Sequence, residues 1–141
     1  MDFTFPANVH FSCSRCGLCC RDTEQKIRHI LVLEAEAKII ASQTARDVTD
    51  FSFQIANKFP FGYEMKKTNE GKCVFLKQNQ CTLYQLRPLI CRFYPFELKF
   101  DKGKQLHVFD FTVECPGIGQ GKDFSIIDFE RLFLLAQERL P

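Results

Sequence analysis

The residues with the most chemical potential are eight cysteines in a chain of 141 residues. The first group reads Cys13-x2-Cys16-x2-Cys19-Cys20. A two-residue gap lets a tight loop turn two thiolates toward one metal centre, and three cysteines at that spacing wrap three corners of a cluster. Gly17, between the second and third, lets the backbone approach a bulky group closely. The second group is Cys73-x7-Cys81-x9-Cys91, and Cys115 stands apart, followed by Pro116. These cysteines lie on different elements that folding must bring together.

Cys19 and Cys20 are neighbours, and neighbouring side chains of an extended segment point to opposite sides. This argues for two four-ligand sites. One division puts Cys13, Cys16, Cys19 and Cys115 in the first and Cys20, Cys73, Cys81 and Cys91 in the second. Exchanging Cys19 with Cys20, or Cys115 with Cys91, satisfies the spacing equally. A single site with spare cysteines satisfies it too. Bacterial-type ferredoxins use a run of three cysteines at this spacing, completed by a remote cysteine before proline. That favours one or two iron–sulfur clusters of the [4Fe-4S] type. The alternative is zinc, which also takes four thiolates, although zinc ribbons show two separated Cys-x2-Cys pairs and this chain has one such region.

The redox compartment supports ligation over disulfides. The N-terminus lacks the basic and long apolar regions of a secretory signal, and no apolar run is long enough to span a bilayer. The expected location is the cytoplasm, where thiols stay reduced and dense cysteines are metal-binding or catalytic. A net charge of +2 with interspersed signs gives no footprint for nucleic acid. Neither nucleic acid nor membrane is an expected partner; a protein is. Sixteen phenylalanines and no tryptophan point to an aromatic core able to keep water from a metal site.

The elements that must position these thiols read as a small single α+β domain over residues 1–141, with short strands and hairpins, a few helices and cysteine-bearing loops. Residues 1–26 look loop-like. A short strand is expected over Lys26 to Val32 and a helix from Leu33 to Gln43, while 44–61 stays ambiguous. Gly62 to Lys66 and Cys73 to Lys77 read as strands joined by the turn at Thr68 to Gly71. Thr82 is placed to cap a short helix through Leu86, and Pro88 suits the first turn of one running into Cys91. Phe96–Phe100 and Leu106–Val113 form an expected hairpin. Asp123 or Ser125 caps a final helix to about Arg139, with Ile126, Phe129, Phe133, Ala136 and Leu140 on one face.

Other candidate site residues surround the cysteines. Gly117, Gly119 and Gly121, with Lys122, have the composition of an anion-binding turn; the plainer reading is a loop shaping the chain around Cys115. A Walker A motif is excluded by spacing. Arg21 and Arg92 each follow a cysteine, where a guanidinium either balances thiolate charge, holds an anion or makes a surface ion pair. Arg87 braces the loop before Pro88. His10, His29 and His107 lie outside the cysteine groups and read as satisfied or solvent-facing. Phe93, Tyr94 and Phe96 are expected to pack beside Cys91.

Three blocks carry a family resemblance. They are Phe11-Ser12-Cys13-Ser14-Arg15-Cys16-Gly17-Leu18-Cys19-Cys20-Arg21, Arg87-Pro88-Leu89-Ile90-Cys91-Arg92-Phe93-Tyr94-Pro95-Phe96, and Cys115-Pro116-Gly117-Ile118-Gly119-Gln120-Gly121. In order and spacing they resemble the CxxCxxCC, or YkgJ-like, cysteine-cluster proteins, a family described as zinc or iron chelators. That family is related to the cysteine-rich region of flagellin lysine N-methylases, which are much longer chains. The resemblance implies metal binding, and with the spacing of the second group the expected ligands are Cys13, Cys16, Cys19, Cys20, Cys73, Cys81, Cys91 and Cys115. The expected function is an iron–sulfur protein that transfers electrons or serves as an accessory or maturation factor. The alternatives are a cluster-dependent enzyme, either methyltransferase-related or an oxidoreductase, and a structural zinc domain for protein interaction.

Overall fold

The computed structural model describes residues 2–14, 16–24 and 26–141, so Arg15 of the first block lies outside the described residues. In chain order the elements are β1 (Phe3–Thr4), β2 (His10–Phe11), β3 (Leu31–Leu33), α1 (Glu34–Thr44), α2 (Val48–Phe51), β4 (Ser52–Gln54), β5 (Phe61–Met65), β6 (Leu76–Lys77), β7 (Gln80–Cys81), α3 (Leu89–Phe93), β8 (Phe96–Asp101), β9 (Leu106–Phe111), β10 (Ile118–Asp123) and α4 (Ile126–Arg139), with 3-10 turns at Leu18–Cys20 and Tyr84–Leu86. The class is α+β, as the sequence implied. No described helix is long and apolar enough to cross a membrane. The elements gather into two compact units: residues up to Cys16 with Phe93–Arg139, and Gly17–Arg92 with Leu140–Pro141.

The first unit is built on the expected hairpin. β8 and β9 pair antiparallel from Phe96↔Phe111 to Asp101↔Leu106. Asp101 Oδ1 accepts the Gly103 N–H at 2.9 Å, which folds the turn back on itself. β1 adds to β9 in parallel, with Phe3 opposite His107. β2 and β10 form a separate antiparallel pair. α4 begins where Ser125 donates its N–H to Asp128 at 2.9 Å, and it buries Phe129, Phe133 and Ala136. Ile126, expected on that face, is 38% exposed. The core is a run of phenylalanine rings: Phe96 stacks on Phe124 at 4.4 Å, and Phe129 meets Phe96, Phe109 and Phe124 within 5.2 Å. Such pairs add to their burial through edge-to-face and offset geometry.

The second unit holds a three-stranded antiparallel sheet in the order β3, β5, β4. α1 covers it through Ala37 and Ile40, which are buried with Ile30, Val32, Phe51, Met65 and Phe75. The ambiguous stretch resolves into α2, capped by Asp47 accepting the Thr49 N–H at 3.0 Å, and then β4. β6 and β7 form a small hairpin whose two turn residues, Gln78 and Asn79, have φ of 51° and 62°. That left-handed pair matches the twist of a two-residue hairpin.

Four sequence expectations change. The strand read from Lys26 starts only at Leu31, because residues ahead of it spend their backbone on turns and on Asp22. The strand read over Cys73–Lys77 is reduced to Leu76–Lys77, with Cys73 in a turn closed by Leu76 N–H to Cys73 O at 2.9 Å. The N-terminal stretch read as loop contributes β1 and β2, and the glycine-rich 117–121 segment runs into β10. Two-residue strands carry too little periodicity to be seen in sequence.

Candidate metal centre

The eight thiols fall with the two units. Cys13, Cys16 and Cys115 belong to the first, and Cys19, Cys20, Cys73, Cys81 and Cys91 to the second. Within the second unit the five sulfurs come from four chain segments. The 3-10 turn Leu18–Cys20 supplies two of them. It opens at Gly17, which has φ of 79°, and closes with Cys20 N–H to Gly17 O at 3.0 Å. A side chain at that φ would be strained, so glycine is what allows the chain to turn there. The turn brings Cys19 Sγ and Cys20 Sγ to 3.6 Å. This corrects the expectation that neighbouring cysteines face apart, which holds for extended chain and fails in a 3-10 turn, where successive side chains are separated by about a third of a circle.

The remaining segments are tied to that turn. The Cys73 N–H donates to Cys20 O at 2.6 Å. Thr82 donates its N–H and its hydroxyl to Phe75 O at 2.9 and 2.8 Å, which joins the Cys81 and Cys73 loops. Cys91 lies in α3, where its N–H reaches Pro88 O at 3.0 Å. The start of α3 is fixed by Glu36, a buried carboxylate on α1. Its Oε2 accepts the Leu89 N–H at 2.7 Å and its Oε1 accepts the Leu33 N–H at 3.0 Å. Nothing in the position of Glu36 in the sequence signals a bond to Leu89, far along the chain.

Electrostatics sort these thiols. Hydrogen bonding with Cys19 and Cys81, together with burial, holds the Cys20 thiol far above the usual thiol range. The Cys20 hydrogen bond draws Cys19 down to about 7, aided by the Arg28 charge, and draws Cys81 down to about 6, aided by the Leu83 N–H and the Arg87 charge. Burial pushes Cys73 up to about 11 and Cys91 upward as well. Backbone N–H groups of Phe75 and Leu76 oppose this at Cys73 by bonding its sulfur.

The first unit repeats the device on a smaller scale. Burial pushes the Cys115 thiol up, the N–H groups of Gly117 and Ile118 bond it, and the neighbouring charges of Cys16 and Cys13 push upward again. The two segments carrying these cysteines are joined by Ser12 N–H to Gly117 O at 3.1 Å. Gly117 fits because a Cβ there would run into Ser12 O and sit 3.0 Å from the Phe11 ring. Three cysteines, Cys73, Cys81 and Cys115, thus receive N–H bonds from residues two or three places on. Such donors favour a thiolate, the form that ligates metal. Soft thiolates without imidazole or carboxylate suit zinc, iron or an iron–sulfur core. Among the described residues, no three Cys, His, Asp or Glu side chains are grouped tightly enough to hold a metal ion as they stand.

Residues 12–116 match the sequence profile of the CxxCxxCC family, described as a putative zinc- or iron-chelating domain. The chain belongs to the CxxCxxCC family. It is also 30% identical over 122 residues to the uncharacterized protein MJ0661 of Methanocaldococcus jannaschii. That match covers 81% of this chain and 62% of the relative, so the chain spans about three fifths of the length of the relative it matches. No solved structure matches it.

The other candidate residues of this CxxCxxCC chain have defined places. Arg92 donates Nε to Arg87 O at 3.1 Å and Nη2 to Gln85 O at 2.8 Å, so it braces the backbone that leads into α3. Arg87 lies over the Tyr84 ring at 4.0 Å and donates Nε to Tyr84 O. Arg21 forms an isolated antiparallel bridge with Lys72. Gly119 and Gly121 lie within β10, and Gly121 O meets His10 Nδ1 at 3.2 Å. His29 Nδ1 pairs with Glu64 Oε2 at 2.9 Å, and the His107 ring packs on Phe133 and Phe100. The histidines are engaged as the sequence reading expected. Arg28 is the residue that reading missed, since it follows no cysteine and shows no motif.

Proposed function

We propose that this chain is an iron–sulfur protein that works in the cytoplasm as an electron-transfer or accessory factor for a protein partner. The observation that carries the reading is that five cysteines from four segments of one unit lie in or pack against one apolar cluster. Thiolate ligands on separate loops suit a cluster, whose iron atoms are spread in space. The apolar surroundings, Phe75, Leu76 and Leu83 among them, limit water and thereby tune a potential. The first unit's Cys13, Cys16 and Cys115 provide a second donor set, which keeps the Cys13-x2-Cys16 pair and the remote Cys115-Pro116 of the ferredoxin-like pattern but not its third cysteine.

One distance favours a second reading, a zinc tetrathiolate. With a Zn–S bond of about 2.3 Å, the edge of a sulfur tetrahedron is ~3.8 Å. The 3.6 Å between Cys19 and Cys20 is close to that edge. Thiolates on different irons of a cluster stand farther apart, because the core lies between them. Iron, zinc and acid-labile sulfide per chain, measured on protein purified without oxygen, separate the two. Iron and sulfide in matching amounts support the cluster and their number counts the clusters. Zinc without sulfide, from cells supplied with iron, overturns it.

A further inference from the structure

We propose that Arg28 is the charge-compensating and positioning residue of the five-thiol centre, holding the Cys19–Cys20 turn by its Nε and setting a permanent positive charge against the thiolates. The proposal rests on the reading that these thiols hold metal.

Arg28 Nε donates to Cys19 O at 3.0 Å, and its Nη2 is buried from water. The guanidinium is locked in place by its own backbone. Its N–H donates to Asp22 Oδ1 at 2.7 Å, and Lys67 Nζ bridges the same Asp22 Oδ1 at 2.7 Å and Arg28 O at 3.1 Å. Asp22 is anchored in turn through its N–H to Gly71 O at 2.8 Å, two residues from Cys73. The positive charge is thereby held at the turn that carries both Cys19 and Cys20.

The chemistry explains why such a cation is needed. Four thiolates around a divalent ion, or around an iron–sulfur core of the same charge, carry a net double negative charge. An uncompensated buried charge is costly. Arginine suits the compensating position because it stays protonated and its planar fork bonds a carbonyl while presenting further N–H groups. Lys67 also lies in this network, but its ammonium is committed to Asp22 and the Arg28 carbonyl, whereas the Arg28 guanidinium bonds the cysteine turn itself. Arg87 plays a lesser part at Cys81 from an exposed position.

The test compares the full chain with Arg28→Gln, Arg28→Lys and Asp22→Asn. The readouts are metal per chain, the rate of metal loss to a colorimetric chelator and, where iron is bound, the midpoint potential. Arg28→Gln is expected to retain metal roughly tenfold to a hundredfold less tightly. Its potential should shift downward, because loss of a positive charge disfavours the added electron. Arg28→Lys should recover most of both. Asp22→Asn should fall in the same direction by less, which keeps the test open where Arg28→Gln does not fold. Wild-type behaviour in Arg28→Gln overturns the proposal, as does an equal loss in Arg28→Lys, which would reduce Arg28 to a backbone brace. Zinc without sulfide in the wild type defeats the cluster reading but leaves the chelator assay a valid test of Arg28. A wild type that holds no metal defeats both.

Discussion

Cys20 shares hydrogen bonding with two neighbouring sulfurs, Cys19 and Cys81, and this makes the five thiols unequal before any metal arrives. Cys81, drawn down to about 6, and Cys19, drawn down to about 7, carry thiolate near neutral pH, whereas Cys73, pushed up to about 11, stays protonated. A lowered value means the reactive anion is present above it and is lost as the pH falls through it. Alkylation of metal-free protein, mapped by mass spectrometry, should therefore modify Cys81 and Cys19 first. The Cys81 rate should level off above about pH 7, while the Cys73 rate still climbs at about pH 10. Earlier labelling of Cys73 would contradict this ordering. The sequence named all eight thiols, because cysteine spacing is explicit. It could not show that Cys19 and Cys20 point to one place, since that depends on a turn of three residues opened by a positive-φ glycine.

At the scale of elements, α3 carries Cys91 and is only five residues long, so its placement depends on what anchors its start. Glu36 does this with two charge-assisted bonds from a buried carboxylate. Glu36→Ala leaves the Leu89 and Leu33 N–H groups unsatisfied, and a loss of about 3 kcal/mol in denaturant unfolding is expected, with Glu36→Gln losing about half. A change under about 0.5 kcal/mol would show that water replaces the carboxylate at no cost. Gly117→Ala forces a methyl onto the Ser12 carbonyl and is expected to cost about 2 kcal/mol, read as a lower melting temperature. An unchanged melting temperature would mean that the two segments can part freely. The hairpin β8–β9, α1 and α4 were legible because they are long enough to show a period. β1, β2, β7 and β10 were not, because two residues have no period and glycine-rich chain has no side-chain pattern. The Glu36–Leu89 bond was invisible for another reason: a contact across such a sequence distance leaves no local trace.

Across the whole molecule, two cores of different make support the two cysteine sets. One is a phenylalanine cluster and the other is mixed aliphatic and aromatic around α1 and β5. Phe129 has no exposed surface and touches four other rings within 5.2 Å. Phe129→Ala is expected to destabilise its unit by about 4 kcal/mol, seen as a separate early transition in calorimetry. A single unshifted transition would argue that this core contributes little. The aromatic character of the core and the α+β class were readable from composition and pattern. The distribution of the cysteines over the two compact units, three in one and five in the other, was not, because spacing along the chain carries no record of which segments pack together.

The boundary between those units cuts the Cys13–Cys20 motif between Cys16 and Gly17, and this has a consequence for the order of events on the ribosome. The segment 17–92 is continuous but for two terminal residues and bears five thiols. It emerges whole, and domains tend to fold as they emerge. Cys13 and Cys16 are made first yet must wait for residues 93–139 before β2 finds β10 and Cys115 arrives. If the five-cysteine unit takes metal as proposed above, it can do so before Cys115 reaches Cys13 and Cys16, so the two cysteine sets would be completed in sequence rather than together.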